Sequence, residues 1–133
     1  LKTYIALRKL RMSERLRLRV EFPPELNELN IYPLLFLPLV ENAFKYVGGD
    51  YQLDIIMKWE NNRISLFIRN SIPELSAEDE ALRKSVDERQ RKGIGLVNLR
   101  RRLSLLYPSK HRLETRKEET EFVAELMIEI EEI

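Results

Sequence analysis

The alternation of apolar and polar positions divides the chain into helical and extended stretches. Residues 2–12 carry a helix-like pattern with Leu1, Ile5, Leu7 and Leu10 as its apolar members, and residues 15–22 switch to alternation: Arg15, Leu16, Arg17, Leu18, Arg19, Val20, Glu21, Phe22. A period of two predicts a strand with one buried face. Pro23 and Pro24 end it, a polar linker follows, and Pro33 sits where the first turn of a helix tolerates proline. That helix is predicted from Pro33 to about Val47, on an apolar stripe of Leu37, Val40, Phe44 and Val47, with Gly48 and Gly49 closing it.

Residues 51–60 and 63–70 are two β-rich runs joined by Asn61 and Asn62, a pair that tolerates the positive φ angles of a tight hairpin. From Ser71 to Lys92 the pattern dissolves into charge, with room for a short helix near residues 76–86 but no continuous apolar face. A loop of about 20 residues inside a compact domain is unusual and often forms a functional lid. Gly93 and Gly95 then open a helix with Leu96, Leu99, Leu103 and Leu106 on one face, and Pro108 stops it. Residues 112–117 and 121–130 read as a second hairpin whose last strand alternates Phe122, Ala124, Leu126, Ile128 and Ile130 on one side. The order α, β, α, β, β, lid, α, β, β predicts an α/β (α+β) chain: a two-layer sandwich, its mixed and mostly antiparallel sheet carrying helices on one face. No internal repeat interrupts it.

Composition narrows the function. A chain of 133 residues fits one domain that needs no covalent staple, and with no cysteine it forms no disulfide and no thiolate metal site. Absence of cysteine also suits a reducing cytosolic compartment. Lys and Arg total 23 against 22 Asp and Glu, so a net charge of +1 gives no support to nucleic-acid binding by broad phosphate neutralisation. The apolar run Ile31–Val40 is interrupted by Pro33 and Pro38 and falls short of the roughly 20 residues that span a bilayer, so no direct membrane contact is expected of this segment. The chain lacks an initiator Met and begins inside a helical pattern, which reads as a piece of something larger.

Two stretches carry candidate chemistry. In PLVENAFKYVGG, Pro38 to Gly49, the polar residues Glu41, Asn42 and Lys45 share one side of an otherwise apolar helix. A carboxamide oxygen, an ammonium and a carboxylate so spaced suit a phosphate bound through Mg²⁺: Asn42 takes one corner of an octahedral ion, Lys45 offsets phosphate charge, and Glu41 orients or deprotonates a nucleophile. The same residues also read as a solvated face with a Glu41–Lys45 ion pair worth a few tenths of a kcal/mol. In GIGLVNLRRRL, Gly93 to Leu103, two glycines precede a helix, which lets backbone N–H groups approach a phosphate. A flexible helix entry explains that pattern equally.

Taken together, PLVENAFKY, an irregular charged lid and GIGLVNLRRRL resemble the N box and second glycine box of the Bergerat-type ATP-binding fold. More narrowly, the chain resembles the catalytic domain of sensor histidine kinases of the subgroup paired with LytTR-type response regulators, which shows a proline-led PLVEN segment and a GxGLxN segment. The resemblance covers nearly the whole chain. It implies that residues 1–14 end a helical linker from a dimerisation domain, and that residues 15–133 form the ATP-binding domain with a lid at about 71–92. It implies ATP and Mg²⁺ as cofactors, with Asn42 the metal ligand, Glu41 activating the phosphoryl acceptor, and Lys45 near the phosphates. Gly93 and Gly95 match the triphosphate cradle, and Asn98 the polar residue after it. Arg102 matches a recurrent arginine. The partners implied are an upstream dimerisation and phosphoacceptor domain and a response regulator. A homodimer is implied for the full-length protein, with this segment a cytoplasmic part of an integral inner-membrane protein.

The pattern departs from the family at the first glycine box, where an aspartate is followed by glycines. Here the strand ends in IRNSIPE, and the in-phase series Ile64, Leu66, Ile68, Asn70 puts Asn70 in the aspartate's place. An amide oxygen accepts a hydrogen bond from an adenine amino group, though without charge assistance. Two alternatives follow: a degenerate fold serving as a dimeric signalling scaffold with weak or no nucleotide binding, and an ATPase using Glu41 on water. His111, outside any dimerisation helix, is not expected to be the phosphoacceptor. Arg100, Arg101 and Arg102 read as a helix face, and the scattered Tyr4, Tyr32, Tyr46, Tyr51, Tyr107 and Trp59 as packing residues.

Overall fold

The computed structural model describes residues 1–12, 14–23, 35–73 and 94–130. Helix α1 (Lys2–Arg11) is followed by strand β1 (Arg17–Glu21), helix α2 (Leu37–Tyr46), strands β2 (Gln52–Glu60) and β3 (Arg63–Ser71), helix α3 (Ile94–Leu106), and strands β4 (His111–Lys117) and β5 (Glu121–Glu129). The strands form one sheet in the order β1-β2-β3-β5-β4. Among the described residues β1 alone runs parallel to its neighbour, and the other pairings are antiparallel. This is the mixed, mostly antiparallel sheet that the pattern predicts. The polar linker, Pro33, and the proposed short helix at 76–86 fall outside the described residues.

Both hairpins form where alternation meets a turn signal. Asn61 and Asn62 take φ angles of 51° and 62° between β2 and β3, the left-handed pair that a two-residue hairpin turn needs. Register then decides the two faces. Leu53, Ile55 and Met57 lie opposite Asn70, Ile68 and Leu66, which lie opposite Phe122, Ala124 and Leu126. All but Phe122, which is partly buried, are inaccessible, and with Ile64, Ile128, Leu99 and Leu103 they form the core beneath the helices. Helix α2 packs on β2 and β3, and α3 on β4.

Three expectations shift in detail. Strand β1 is shorter than the alternating run and lies at a sheet edge, so its apolar side is only half covered and Val20 stays 37% exposed. The buried side of α2 is Leu39, Val40, Ala43 and Phe44, leaving Leu37 only partly buried, because the helix starts at Leu37 with Pro38 in its first turn. On α3, Leu99 and Leu103 are buried while Leu106 is 41% exposed, since the helix ends there and the chain turns toward Pro108. No helix among the described residues is long and apolar enough to cross a membrane.

Candidate functional site

Helix α2 has two chemically distinct sides. Its apolar side is locked against β2 and β3, which fixes its rotation and presents Glu41 and Lys45 exposed and Asn42 half-buried. Neither the Glu41 nor the Asn42 side chain makes a hydrogen bond or ion pair with a described residue, and the Lys45 ammonium sits 5.4 Å over the Tyr46 ring instead of pairing with Glu41. The solvated ion pair that would explain these residues structurally is therefore not formed. The Glu41 carboxylate and the Asn42 carboxamide are thus unpartnered among the described residues, on the same helix side as Lys45.

Asn70 lies on the core side of β3 at 1% exposure, in phase with Ile64, Leu66 and Ile68 as predicted. Its Nδ2 donates to the Ser71 carbonyl at a long 3.5 Å. The chain beyond it is fastened to the exit of α2. There Val47 leaves the helix with φ −58° and ψ 131°, and Gly48 N–H donates to the Ser71 carbonyl at 2.8 Å. Gly49 takes φ +62°, and a Cβ there would come within 2.8 Å of the Ile72 carbonyl oxygen. The glycine pair thus ends the helix by close approach to the end of β3, not only by relaxing the backbone. Ser71, at the start of the 71–92 segment expected as a lid, is instead the last residue of β3, and Ile72 after it is 4% exposed.

At the other boundary of that segment, Gly95 lies in the first turn of α3 and Asn98 is exposed on the helix. Gly93 and residues 74–92, most of the segment expected as a lid, fall outside the described residues. A helix start of this kind leaves N–H groups unpaired, which suits an anion. The described residues hold no group of three or more His, Asp or Glu that would cage a cation by itself. Mg²⁺ usually keeps several waters and takes one or two protein oxygens plus phosphate oxygens. The Asn42 side chain, which has no hydrogen-bond partner among the described residues, carries an oxygen of the kind that could serve as such a ligand.

The residues set aside as structural are explained locally. His111 Nδ1 donates to the Tyr107 carbonyl at 2.7 Å, tying β4 to the end of α3. Arg100 Nη1 donates to the Leu113 carbonyl at 3.3 Å, and Trp59 and Tyr107 pack against the core. A shallow depression lined by Ile56, Phe67, Met127, Lys58 and Arg112 lies on the opposite, open face of the sheet and is remote from Asn70.

Sequence reasoning missed two groups. On the open face, the buried carboxylate of Asp54 accepts from Arg69 Nε at 3.0 Å and Nη2 at 2.5 Å. Its place directly opposite Arg69 follows from the hairpin register and was readable once that register was drawn. On α1, Tyr4 and Arg8 both stand against the Phe44 ring of α2. Their four-residue spacing puts them on one helix face, but no local pattern says what that face meets.

No family model matches the chain. Among proteins of known type, the sensor protein LytS of Staphylococcus haemolyticus is 29% identical over 113 residues, which is 80% of this chain and 19% of that protein. The chain therefore spans about a fifth of the length of that relative. Among solved structures, the nucleotide-free catalytic domain of histidine kinase ThkA aligns with a TM-score of 0.57 at 16% identity, covering 96% of this chain and 88% of that one. The mycobacterial sensor histidine kinase MprB aligns with a TM-score of 0.56 at 14% identity, covering 96% and 89%. The chain has the Bergerat-type fold of sensor histidine kinase catalytic domains, and most of its length is similar in sequence to a LytS sensor protein.

Proposed function

We propose that the chain binds Mg²⁺ and ATP and acts as the catalytic domain of a sensor histidine kinase, passing the γ-phosphoryl group to a histidine on a helical domain upstream. The observation that carries this reading is the open polar side of α2. Its opposite side is rigidly buried, yet Glu41, Asn42 and Lys45 are left without the mutual pairing that a purely structural helix face would adopt. Groups held ready in this way supply positioning and charge neutralisation, which account for most of phosphoryl-transfer catalysis.

In this reading the Asn42 amide oxygen holds Mg²⁺, and Lys45 neutralises phosphate charge. Bound Mg²⁺ withdraws charge from the phosphate oxygens. Asn70 accepts a hydrogen bond from the adenine amino group, and the backbone at Gly93 and Gly95 approaches the triphosphate, with Asn98 beside it. Glu41 orients the acceptor imidazole and takes its proton as the new N–P bond forms and the bond from the γ-phosphorus to the bridging oxygen breaks, releasing ADP. The resemblance to LytS supports a response regulator as the next acceptor, a homodimeric full-length protein, and a cytoplasmic position for this domain in an integral inner-membrane protein.

The test is incubation of the full-length protein with Mg²⁺ and γ-labelled ATP. Acid-labile, alkali-stable label on the protein is expected, and its absence from protein that binds ATP contradicts the kinase reading.

A further inference from the structure

Strand β4 closes one side of the sheet, and among the described residues no strand pairs with its outer edge. The hydrogen bonds that flank the β4–β5 ladder show which backbone groups that edge presents. Glu118 N–H donates to the Glu121 carbonyl and Glu129 N–H to the Lys110 carbonyl, each at 2.8 Å. In this register the even-numbered residues of β4 direct their backbone groups to β5, and the odd-numbered Leu113, Thr115 and Lys117 turn N–H and C=O outward. Arg100 reports the same direction: from α3 it donates to the Leu113 carbonyl, which keeps a second lone pair.

An open edge is a template for another strand, and proteins commonly blunt it with charge. On β4 the charge alternates in sign. Arg112, Glu114, Arg116 and Glu118 follow one another on the open face of the sheet, their side chains 69%, 56%, 58% and 51% exposed. The series is antisymmetric about Thr115. In an antiparallel pairing of two copies centred there, Arg112 stands opposite Glu118 of the second copy and Glu114 opposite Arg116, each twice by symmetry, while Thr115 meets its own counterpart. Opposite charges and Thr–Thr are among the cross-strand pairs that stabilise a sheet. Backbone and side chains agree on this register, because it makes hydrogen-bonded pairs of the outward-facing Leu113, Thr115 and Lys117. The charged residues then take the non-hydrogen-bonded positions, where side chains come closer.

Neighbouring registers fail. Centring the pair on Glu114 opposes that carboxylate to its own copy and Arg112 to Arg116, and centring it on Arg116 opposes Glu114 to Glu118; like charges directly opposite are destabilising. Within one copy Arg112 pairs with Glu114 at 2.5 Å and Arg116 with Glu118 at 3.2 Å and Glu125 at 3.7 Å. Exposed pairs of this kind are worth little, so exchanging them for pairs across two copies costs little.

We propose that the outer edge of β4 is an interaction surface for a second copy of this chain, which joins antiparallel about Thr115 and continues the sheet from one copy into the other. One seven-residue strand per copy is a small interface, so the association is weak and reversible. It does not depend on the nucleotide reading.

Sedimentation equilibrium of this chain up to millimolar concentration is expected to show a reversible monomer–dimer equilibrium. Glu114→Arg and Arg116→Glu each set two like-charge pairs in the symmetric dimer and are expected to weaken association at least about tenfold. An equimolar mixture of the two variants is expected to associate as the parent does, because each copy supplies the charge the other lacks. Thr115→Pro removes an outward N–H and leaves the bonds to β5 in place, so it is expected to abolish association; if the charge variants do not fold, it decides. Hydrogen exchange at the Leu113, Thr115 and Lys117 amides is expected to slow as concentration rises. A chain that stays monomeric at millimolar concentration overturns the proposal. So does a dimer indifferent to the charge reversals or to Thr115→Pro, a mixture that does not recover, or a dimer in which those three amides keep their monomer exchange rates.

Discussion

The Ser71 hydroxyl donates a 2.7 Å hydrogen bond to the Gly48 carbonyl, tying the end of β3 to the exit of α2. The same oxygen accepts the Gln52 N–H at 2.8 Å at the start of β2. Three elements converge there, at the end of the strand that carries Asn70.

Removing that hydroxyl leaves the Gln52 N–H without its partner, while the Gly48 carbonyl keeps only the Tyr51 N–H at 3.1 Å. Ser71→Ala is expected to lower the unfolding free energy by about 1–2 kcal/mol. Gly49→Ala forces a side chain into a positive φ against the Ile72 carbonyl and is expected to cost about 1–3 kcal/mol. Urea denaturation of the two variants checks both values.

The Asp54–Arg69 pair predicts an asymmetry. The Asp54 side chain is 4% exposed and that of Arg69 39%, with Glu121 also 3.6 Å from Arg69 Nε. Arg69→Met strands a buried carboxylate and is expected to cost about 3 kcal/mol. Asp54→Asn leaves an arginine that still reaches water and Glu121, and is expected to cost about 1 kcal/mol. Equal losses in thermal or urea denaturation contradict this ordering.

On α3 the packing makes a similar contrast. Leu103 is fully buried and Leu105 is 74% exposed. Leu103→Ala is expected to destabilise by about 2–5 kcal/mol through the cavity it leaves, and Leu105→Ala to stay within about 0.5 kcal/mol of the parent. The two midpoints of urea denaturation distinguish them.

These residues also show what the sequence could and could not carry. Strict alternation in 51–70 and 121–130, with Asn61 and Asn62 between the first two strands, was enough to place the hairpins and to put Asn70 on the buried face. Period-two patterning is local, so it survives without knowledge of the fold. The stripe on α2 reached too far toward its N-terminus because the pattern put the first turn at Pro33, whereas Pro38 is the proline found in the first turn of the described helix. Val123 escaped notice because it faces the open side of β5, yet it is 1% exposed, shielded by the stems of its register partners Arg69 and Arg116. The exposed polar side of α2 at Glu41, Asn42 and Lys45 was legible because polar residues interrupted an apolar helix. The contact of Tyr4 and Arg8 with Phe44 was not, since it depends on which element α1 meets.

The roles assigned on α2 separate in kinetics. Glu41→Gln in the full-length protein is expected to reduce phosphohistidine formation at saturating ATP by at least about a hundredfold, with ATP affinity nearly unchanged. A fall in affinity of the same size would place Glu41 in binding and not in transfer.

The central claim is that α2 presents a Mg²⁺-dependent triphosphate site, and calorimetric titration of this chain with ATP tests it most directly. Saturable binding with Mg²⁺ present is expected, with weaker binding when Mg²⁺ is chelated and with that difference lost in Asn42→Ala. No binding at millimolar ATP with Mg²⁺ present would contradict the account, and an unchanged Mg²⁺ dependence in Asn42→Ala would contradict the role given to Asn42.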